Sequence, residues 1–314
     1  MFIPAARRSE KKQVCWRWAA ISRGPLWVDA GTGSEAFSVL NKWRDIVCLG
    51  FVFGLCLLVA GNPAFSDDIP DMVFFPEGEF MMGSPEDEGL RDEHPRHPVY
   101  LDAFYLDKFE ATGKDFLEFL QSNPREHPTI TGWYGREPRP DMMNRPVIGL
   151  TWKRCKKYCE WRGKRMPTEA EWERAASGLE GRLFPWGREL PDETRANFNR
   201  CCFINKGQVL EDADSLPLGR TPEGIFHMAG NIAEWVHDWY DPTYYRNSAY
   251  RNPQGPGSGR YHVIRGGAWN SLPDYLRSKR RYGNNDGQDF YGIGCRCARS
   301  MKGVPEEPAT PSKP

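Results

Sequence analysis

Apolar residues recur at helical spacing in three segments of the chain, and a threonine precedes each segment. The predicted helices cover residues 113–122, 152–162 and 169–178. A threonine hydroxyl can accept a hydrogen bond from the free amides of a first helical turn, so we predict three N-caps: Thr112, Thr151 and Thr168. A proline or a glycine follows each segment, and neither residue continues a helix well. Three short helices are therefore expected.

Alternating apolar and polar residues predict short strands between long loops. Residues 74–83 form two short strands around a turn at residues 76–78, and residues 99–106 form a further strand. Beyond the third helix the strand patterns are short, and turn residues are frequent throughout, with 31 glycines and 26 prolines. We therefore expect an α+β fold in a single loop-rich domain over residues 67–303, with short strands and a few helices.

The start of the chain has the layout of a secretory signal. Ile46–Ala60 is a run of 15 uncharged residues, preceded by basic residues and followed by the small residues of Ala64–Ser66. A membrane span needs about 20 apolar residues, so residues 46–66 predict a cleaved signal peptide, with an uncleaved signal anchor as the alternative. Residues 1–45 form an extension, and we expect the true start near residue 39 or 40. The tail, residues 304–314, is predicted to be disordered.

Charge and hydropathy narrow the class of protein and its partners. The 42 basic and 42 acidic residues give zero net charge, whereas nucleic-acid binding needs a surplus of Lys and Arg. The hydrophobic share of 39% excludes a disordered chain, and a mean hydropathy of −0.65 excludes a protein of many membrane spans. We expect an exported protein, periplasmic or extracellular, with a small molecule or another exported protein as its partner. No nucleic acid is expected, and the membrane is reached only through an uncleaved signal.

Four of the cysteines that follow the signal segment have matching spacings. Cys155 and Cys159 lie four residues apart on the second helix, and Cys295 and Cys297 lie two apart in a predicted strand. Each pair therefore spans about 6 Å along one face of its element. A helix lying along this strand allows two disulfides, Cys159–Cys297 and Cys155–Cys295. A four-cysteine zinc site is the alternative, although its spacings differ from the usual C-x2-C. Cys201 and Cys202 are adjacent in sequence, and three alternatives stay open for them: a strained disulfide, reduced thiols or a redox function.

Six motifs carry a resemblance to a known family. In chain order they are Phe80–Gly83, Arg145–Trp152, Gly163–Glu173, Gly224–Trp235, Arg265–Trp269 and Gly294–Ala298. Together they resemble the formylglycine-generating enzyme, or sulfatase-modifying factor, family over about residues 72–300. The resemblance implies a single C-type-lectin-like domain with little regular structure. It also places Cys159 and Cys297 at the positions of a family disulfide.

This chain departs from the family at the catalytic positions. Family members convert a substrate cysteine to formylglycine with two cysteines that bind copper(I), a soft ion that prefers thiolates. Ser271 and Leu276 stand at those two positions, and Ala268 stands at the position of an active-site serine. Copper and the oxidase activity are therefore not expected. The pocket candidates in this region are Trp269, Ser271, Tyr275 and Arg277.

Structural calcium is the cofactor that the resemblance implies. A first site would use Asn197 and Phe198 with a later acid, Asp212 or Asp214. A second would use the backbone oxygens of Gly230 and Ile232 and the carboxylate of Glu234. His227 stands where the family usually has Asp or Asn, and imidazole is a poor ligand for an ion that takes six to eight hard oxygens. The alternative for this loop is a structural turn with Trp235 in the core.

Other polar side chains permit weaker hypotheses. Ser271 as a hydrolytic nucleophile would need a base, for which His262 is nearest in sequence. His94 and His97 indicate either a metal pair or a non-catalytic loop. The basic residues between 277 and 281 predict a solvated face or, at a pocket mouth, attraction of an anionic ligand.

Three functional hypotheses follow. The missing cysteines favour an exported binding or accessory module that uses the former catalytic pocket for a ligand or partner. The second hypothesis is an oxidoreductase with non-copper chemistry of the periplasmic siderophore-maturation type. The third is a formylglycine-generating enzyme whose cysteines are displaced, to Cys201 and Cys202.

Overall fold

A computed structural model describes residues 69–126, 130, 132–200, 209–285 and 292–301, all of which belong to one compact unit. The predicted extension, signal segment and tail lie outside these described residues, and so do Cys201 and Cys202. No helix in the described part of the chain is both long and apolar enough to cross a membrane.

The three helices begin where the threonines predict them. They are α1 (Gly113–Ser122), α2 (Trp152–Trp161) and α3 (Glu169–Ser177). Each N-cap hydroxyl, of Thr112, Thr151 or Thr168, accepts a hydrogen bond from the third amide of its helix. In α1 and α3 the acidic residue at that third position also accepts from the cap amide, which completes a capping box.

The strands are short, and they form four small sheets. Among the described residues they are β1 (Met72–Phe75), β2 (Gly78–Met82), β3 (His97–Leu101), β4 (Phe104–Asp107), β5 (Trp133–Tyr134), β6 (Glu137–Pro138), β7 (Ala233–Trp239), β8 (His262–Arg265), β9 (Arg281–Asn284), β10 (Ile293–Gly294) and β11 (Ala298–Ser300). The sheets have the strand orders β1-β4-β11, β10-β7-β8-β9, β2-β3 and β5-β6. Only the β10–β7 pair is parallel within these sheets. The predicted α+β, loop-rich class is confirmed.

The single strand predicted over residues 99–106 is wrong. The strand is interrupted at Asp102. As a result, β3 pairs with β2, whereas β4 pairs with β1 and β11. Asn252 stabilises this interruption, because its side chain accepts a hydrogen bond from the Asp102 amide at 2.9 Å and donates one to the Asp102 carboxylate at 2.8 Å. Asn252 is distant in sequence, so the alternating pattern carries no sign of this break.

Helices and sheets bury their apolar faces in two large clusters. One cluster packs α1 and α2 against the central sheet and contains Phe116, Tyr158 and Trp235. The other packs α3 against the remaining strands around Trp172. Trp235 is fully buried and donates its indole hydrogen to the Leu150 carbonyl at 2.7 Å.

One of the two predicted disulfides forms. Cys159 of α2 is bonded to Cys297, with 5.5 Å between the Cα atoms. The predicted Cys155–Cys295 bridge is wrong, because both residues are buried thiols. That prediction assumed one strand through residues 295–297, but these residues connect β10 to β11, which belong to different sheets. No group of three or more Cys, His, Asp or Glu in the described residues is placed to hold a metal, so the zinc alternative gains no support.

Candidate functional site: the loop after strand β8

The loop that follows β8 begins with two glycines in the left-handed region. Gly266 has φ of 87° and Gly267 has φ of 71°. A Cβ on Gly266 would lie 3.3 Å from the ring of Trp172, and one on Gly267 would lie 3.0 Å from the Tyr275 carbonyl. Both the backbone angles and the close packing therefore require glycine at these positions.

Ser271 closes a tight turn in this loop. Its amide donates to the Ala268 carbonyl at 2.8 Å, and its hydroxyl oxygen accepts from the Ala268 amide at 2.9 Å. Ala268 itself is packed in the core. The Ser271 side chain therefore has a structural role in the turn.

Leu276 lies at the end of a short 3-10 helix, Pro273–Leu276, and is fully buried. It packs in a small apolar cluster with Phe184, Ala196 and Ala229. The two thiols of the described residues, Cys155 and Cys295, belong to a different cluster. No thiolate of the described chain is therefore available at positions 271 and 276.

The four pocket candidates differ in exposure. Trp269 is buried in the core, and Tyr275 is 36% exposed on the surface. Arg277 is buried and donates to both carboxylate oxygens of Glu93, at 2.7 and 2.8 Å. Its Nε atom also donates to Asp274 at 2.7 Å. Arg277 is thus a structural arginine whose charge is balanced by Glu93 and Asp274.

The other basic residues of this run are also buried, so a solvated face is the wrong interpretation. Arg281 donates to both oxygens of Glu169 on α3, at 2.8 and 2.7 Å. Arg265 of β8 donates to Glu173 on α3 at 2.5 Å. Lys279 donates to the Gly181 carbonyl at 3.1 Å. The two arginine contacts anchor β8 and β9 to α3, and the Lys279 contact ties the loop to the segment that follows α3.

His262 is held in an aromatic stack. Its ring lies 3.9 Å from the Trp152 ring and 3.6 Å from the Trp239 ring, centroid to centroid. Its Nδ1 atom is 3.3 Å from the Asp238 carbonyl. This position does not support His262 as a base for Ser271.

The second calcium set is held together by an arginine. Glu234 lies at the start of β7, and both of its oxygens accept from the guanidinium of fully buried Arg296, at 2.7 to 3.0 Å. Trp172 donates to the same carboxylate at 2.8 Å. A carboxylate that is already neutralised by a guanidinium is not the charged oxygen ligand that calcium requires. The donor set around Gly230 and Ile232 therefore does not fit calcium.

His227 fills the position at which an acid or amide would complete that set. It has φ of 53°, and its Nε2 atom lies 3.1 Å from the Asp212 carbonyl. Burial lowers the pKa of His227 to about 4, so the ring is neutral at pH 7. Because a carbonyl can only accept, this neutral ring carries its hydrogen on Nε2.

The first expected calcium site, at Asn197 and Phe198, offers one buried side-chain oxygen that has no other partner among the described residues. The Asn197 amide nitrogen donates to the Val209 carbonyl at 2.7 Å and to Asn231 at 3.0 Å. Its Oδ1 atom is buried without a hydrogen-bond partner in the described residues. Asp212 is half-exposed, with its carboxylate 3.6 Å from Arg145. One orphaned oxygen is compatible with a cation, so calcium at Asn197 and Phe198 stays a prediction.

Glu110 packs against the loop of Asn231 and Ile232, although the sequence patterns did not single it out. Its carboxylate accepts from the Asn231 side chain at 2.7 Å and from the Ile232 amide at 3.3 Å. Burial, and then the nearby Glu234 charge, raise the pKa of Glu110 well above its usual range. It lies between β4 and α1 in a segment with no motif, so only the three-dimensional structure reveals it.

Comparison with known proteins accounts for this combination of loops. Residues 60–301 match the model of the sulfatase-modifying factor enzyme 1-like domain. The chain belongs to this family. Ser271 and Leu276, at the positions where the resemblance implied catalytic cysteines, both lie in the segment that follows β8.

Three relatives illustrate the range of the sulfatase-modifying factor family. The chain is 37% identical to the serine/threonine-protein kinase pkn1 of Chlamydia caviae over 78% of this chain and 40% of that protein. It is 32% identical to the formylglycine-generating enzyme of Streptomyces coelicolor, over 72% of this chain and 88% of the enzyme. The structure of PvdO from Pseudomonas aeruginosa matches with a TM-score of 0.62 and 26% identity, over 75% of this chain and 96% of PvdO.

Length separates these relatives. The chain spans about two fifths of the kinase-named relative, so that name describes a protein with much additional sequence. It spans nearly all of PvdO and most of the Streptomyces enzyme. The fold of the sulfatase-modifying factor domain is therefore the property that this chain shares with all three.

Proposed function

We propose that this chain is an exported, copper-free member of the sulfatase-modifying factor family that binds a ligand or a partner protein. The observation that carries the proposal is the chemistry at the two copper positions. Ser271 accepts a backbone hydrogen bond within a turn, and Leu276 is packed in an apolar cluster. Neither side chain can provide the soft thiolate that copper(I) selects.

The proposal predicts that the chain does not oxidise cysteine in a sulfatase-type peptide. Purified full-length protein is incubated with oxygen, copper(I) and a peptide containing Cys-x-Pro-x-Arg, and mass spectrometry measures conversion to formylglycine. The formylglycine-generating enzyme of Streptomyces coelicolor serves as the positive control. We expect no conversion by this chain, and conversion at a rate comparable to the control would overturn the proposal.

A paired copper measurement connects the result to the two positions. We expect the Ser271→Cys/Leu276→Cys variant to compete for copper(I) with a colorimetric chelator, whereas the wild-type chain does so more weakly. A matched variant, Leu272→Cys/Asp274→Cys, places two cysteines at exposed positions of the same loop. Equal copper affinity of the two variants would mean that positions 271 and 276 have no special geometry.

Export is the second part of the proposal, and the signal-like segment at residues 46–66 supports it. Expression in a Gram-negative host followed by cell fractionation tests it. We expect a shortened chain in the periplasmic fraction with a new N-terminus near residue 67. A full-length chain confined to the cytoplasm would contradict export.

An oxidoreductase of the siderophore-maturation type is the second candidate function. The shared fold, which aligns with PvdO over 96% of that chain, is compatible with this candidate. An oxygen-uptake assay with a panel of siderophore precursors tests this candidate without any copper. Substrate-dependent oxygen consumption would replace the binding-module proposal with this one.

The displaced-cysteine hypothesis depends on Cys201 and Cys202, which lie outside the described residues. The peptide assay above also tests it. If formylglycine does form, the Cys201→Ala/Cys202→Ala variant should abolish it while leaving the thermal unfolding midpoint unchanged.

A further inference from the structure

Two adjacent open cavities lie beside the short 3-10 helix Arg91–Glu93. The first has a volume of about 740 Å³ and the second about 720 Å³. Both volumes are in the range of small-molecule sites. Arg91 and Arg246 line both cavities, so the two form one continuous groove. Trp269, Ser271 and Tyr275 do not line this basic groove.

The basic groove carries an excess of arginine without acidic partners. Arg91, Arg96 and Arg246 are exposed, and in the described part of the chain none of the three forms an ion pair. Two acids line the groove. Asp92 accepts from the Tyr240 hydroxyl at 2.7 Å, and Glu86 is exposed. Three unpaired guanidinium groups therefore face one unengaged carboxylate.

Arg280 adds a buried donor to the first cavity. It is 9% exposed, and its Nε atom has no hydrogen-bond partner among the described residues. The nearest acids, Asp92, Glu93 and Asp274, are at 3.9 to 4.0 Å, beyond hydrogen-bonding distance. A buried donor without an acceptor is unfavourable, and a bound anion would satisfy it.

Arg96, which lines the second cavity, also lies near another cation, Lys279. Arg96 Nη2 and Lys279 Nζ lie 3.4 and 3.5 Å from the point at which a Cβ on Gly181 would sit. No acidic side chain is paired with either cation in the described residues. Burial lowers the pKa of Lys279 and the nearby Arg96 charge lowers it further, while the acids Glu173, Glu88 and Glu93 act in the opposite direction. An anion beside the two cations would reduce their repulsion.

We propose that the basic groove binds a ligand carrying two tetrahedral oxyanions, as phosphate or sulfate groups. Several guanidinium groups that approach from different sides present more donors than a planar carboxylate can accept. A tetrahedral oxyanion offers three or four acceptor oxygens, and arginine matches it with paired N–H donors. Arg91 and Arg246 hold the centre of the ligand, Arg280 lies toward one end and Arg96 toward the other. The proposal does not depend on the proposed function.

Calorimetric titration of the full-length chain at physiological salt tests the proposal. The probes are inorganic tripolyphosphate and sucrose octasulfate, which separate a phosphate from a sulfate preference, and citrate represents carboxylates. We expect at least one tetrahedral probe to bind about tenfold or more tightly than citrate. Absence of binding by both probes at millimolar concentration, or equal binding of citrate, overturns the proposal.

Charge-matched variants locate the binding site. We expect Arg91→Ala/Arg246→Ala to weaken probe binding by about tenfold or more, because charge-assisted hydrogen bonds are lost. The control, Arg125→Ala/Arg260→Ala, removes two exposed arginines elsewhere and should change the affinity by less than about twofold. All four positions are exposed, so both variants should keep the wild-type unfolding midpoint. An equal loss in both variants would indicate general charge attraction and would refute a groove site.

Discussion

Arg296 stabilises the loop at which the family resemblance implied a calcium ion. It is fully buried, and it binds the Glu234 carboxylate as well as the backbone carbonyls of Asp107, Lys108 and Phe226. Its positive charge neutralises the one carboxylate of the calcium set that the resemblance implied. The buried Glu234 charge is therefore balanced within the chain itself.

We expect Arg296→Met to lower the free energy of unfolding by about 3–5 kcal/mol, because it leaves Glu234 buried without a partner. Denaturant titration measures this change. The double variant Arg296→Met/Glu234→Gln should recover part of the loss, since it removes the isolated charge. Arg299→Met, at a half-buried position, is the control and should change stability by less than about 1 kcal/mol. A double variant that is less stable than Arg296→Met would contradict the charge argument.

His227 makes stability depend on acid pH. Its pKa in the folded protein is about 4, below the ordinary 6.5, because burial disfavours the charged ring. The unfolded chain therefore binds the proton first as the pH falls, and stability decreases between pH 6.5 and 4. The full effect is up to about 3 kcal/mol.

The variant His227→Asn isolates this effect. Asparagine tolerates the left-handed backbone at this position and does not titrate. We expect denaturant titrations at pH 7 and pH 4.5 to show a smaller loss for His227→Asn than for the wild-type chain. His94→Asn, in a loop, should keep the wild-type dependence. Equal losses in all three proteins would show that His227 is not the group responsible.

At the scale of elements, α3 connects β8, β9 and the loop between them to the rest of the fold. Its capping box is tied to the preceding segment, because the Glu171 carboxylate also accepts from Arg165 at 2.6 and 2.7 Å. On the same helix, Glu169 binds Arg281 and Glu173 binds Arg265. One face of a short helix therefore fixes β8, β9 and the loop between them.

Removal of the α3 cap should destabilise the protein more than removal of the α1 cap. We expect Thr168→Ala to lower the free energy of unfolding by about 1–2 kcal/mol and Thr112→Ala by about 1 kcal/mol or less. Thr168 is buried and its helix is packed on all sides, whereas α1 exposes its outer face. Thr243→Ala, in an exposed turn, is the matched control. The reverse order of the two caps would mean that local capping does not limit the stability of α3.

Elements with local signals were predictable, and those with distant partners were not. The helices follow from threonine caps and apolar spacing within about ten residues, so sequence alone placed them correctly. The break at Asp102 depends on Asn252, and the path of residues 295–297 depends on two separate sheets. In the site, the absence of cysteine at positions 271 and 276 can be read directly from the sequence. The burial of Arg277 could not be predicted, because it depends on Glu93, 184 residues away.

The molecule as a whole is held by contacts that are far apart in sequence. β11, near the end of the described chain, pairs with β4, and Cys297 is bonded to Cys159 across 138 residues. The amide of Ala111 donates to the Cys295 carbonyl, so the same terminal segment also lies against the chain that leads into α1. The terminal segment therefore joins the first sheet, the second helix and the central sheet.

The disulfide should contribute a large share of the stability, because it restricts a long loop in the unfolded chain. We expect Cys159→Ser/Cys297→Ser to lower the free energy of unfolding by up to about 5 kcal/mol, as measured by denaturant titration. The matched variant Cys155→Ala/Cys295→Ala removes two buried thiols from the same helix and segment that form no disulfide, so its loss should be clearly smaller. A reducing agent should destabilise the wild-type chain and the Cys155→Ala/Cys295→Ala variant but have little effect on the serine variant, with peptide mapping to verify the 159–297 linkage. Equal losses in the two double variants would show that packing of sulfur atoms, and not the covalent link, stabilises this junction.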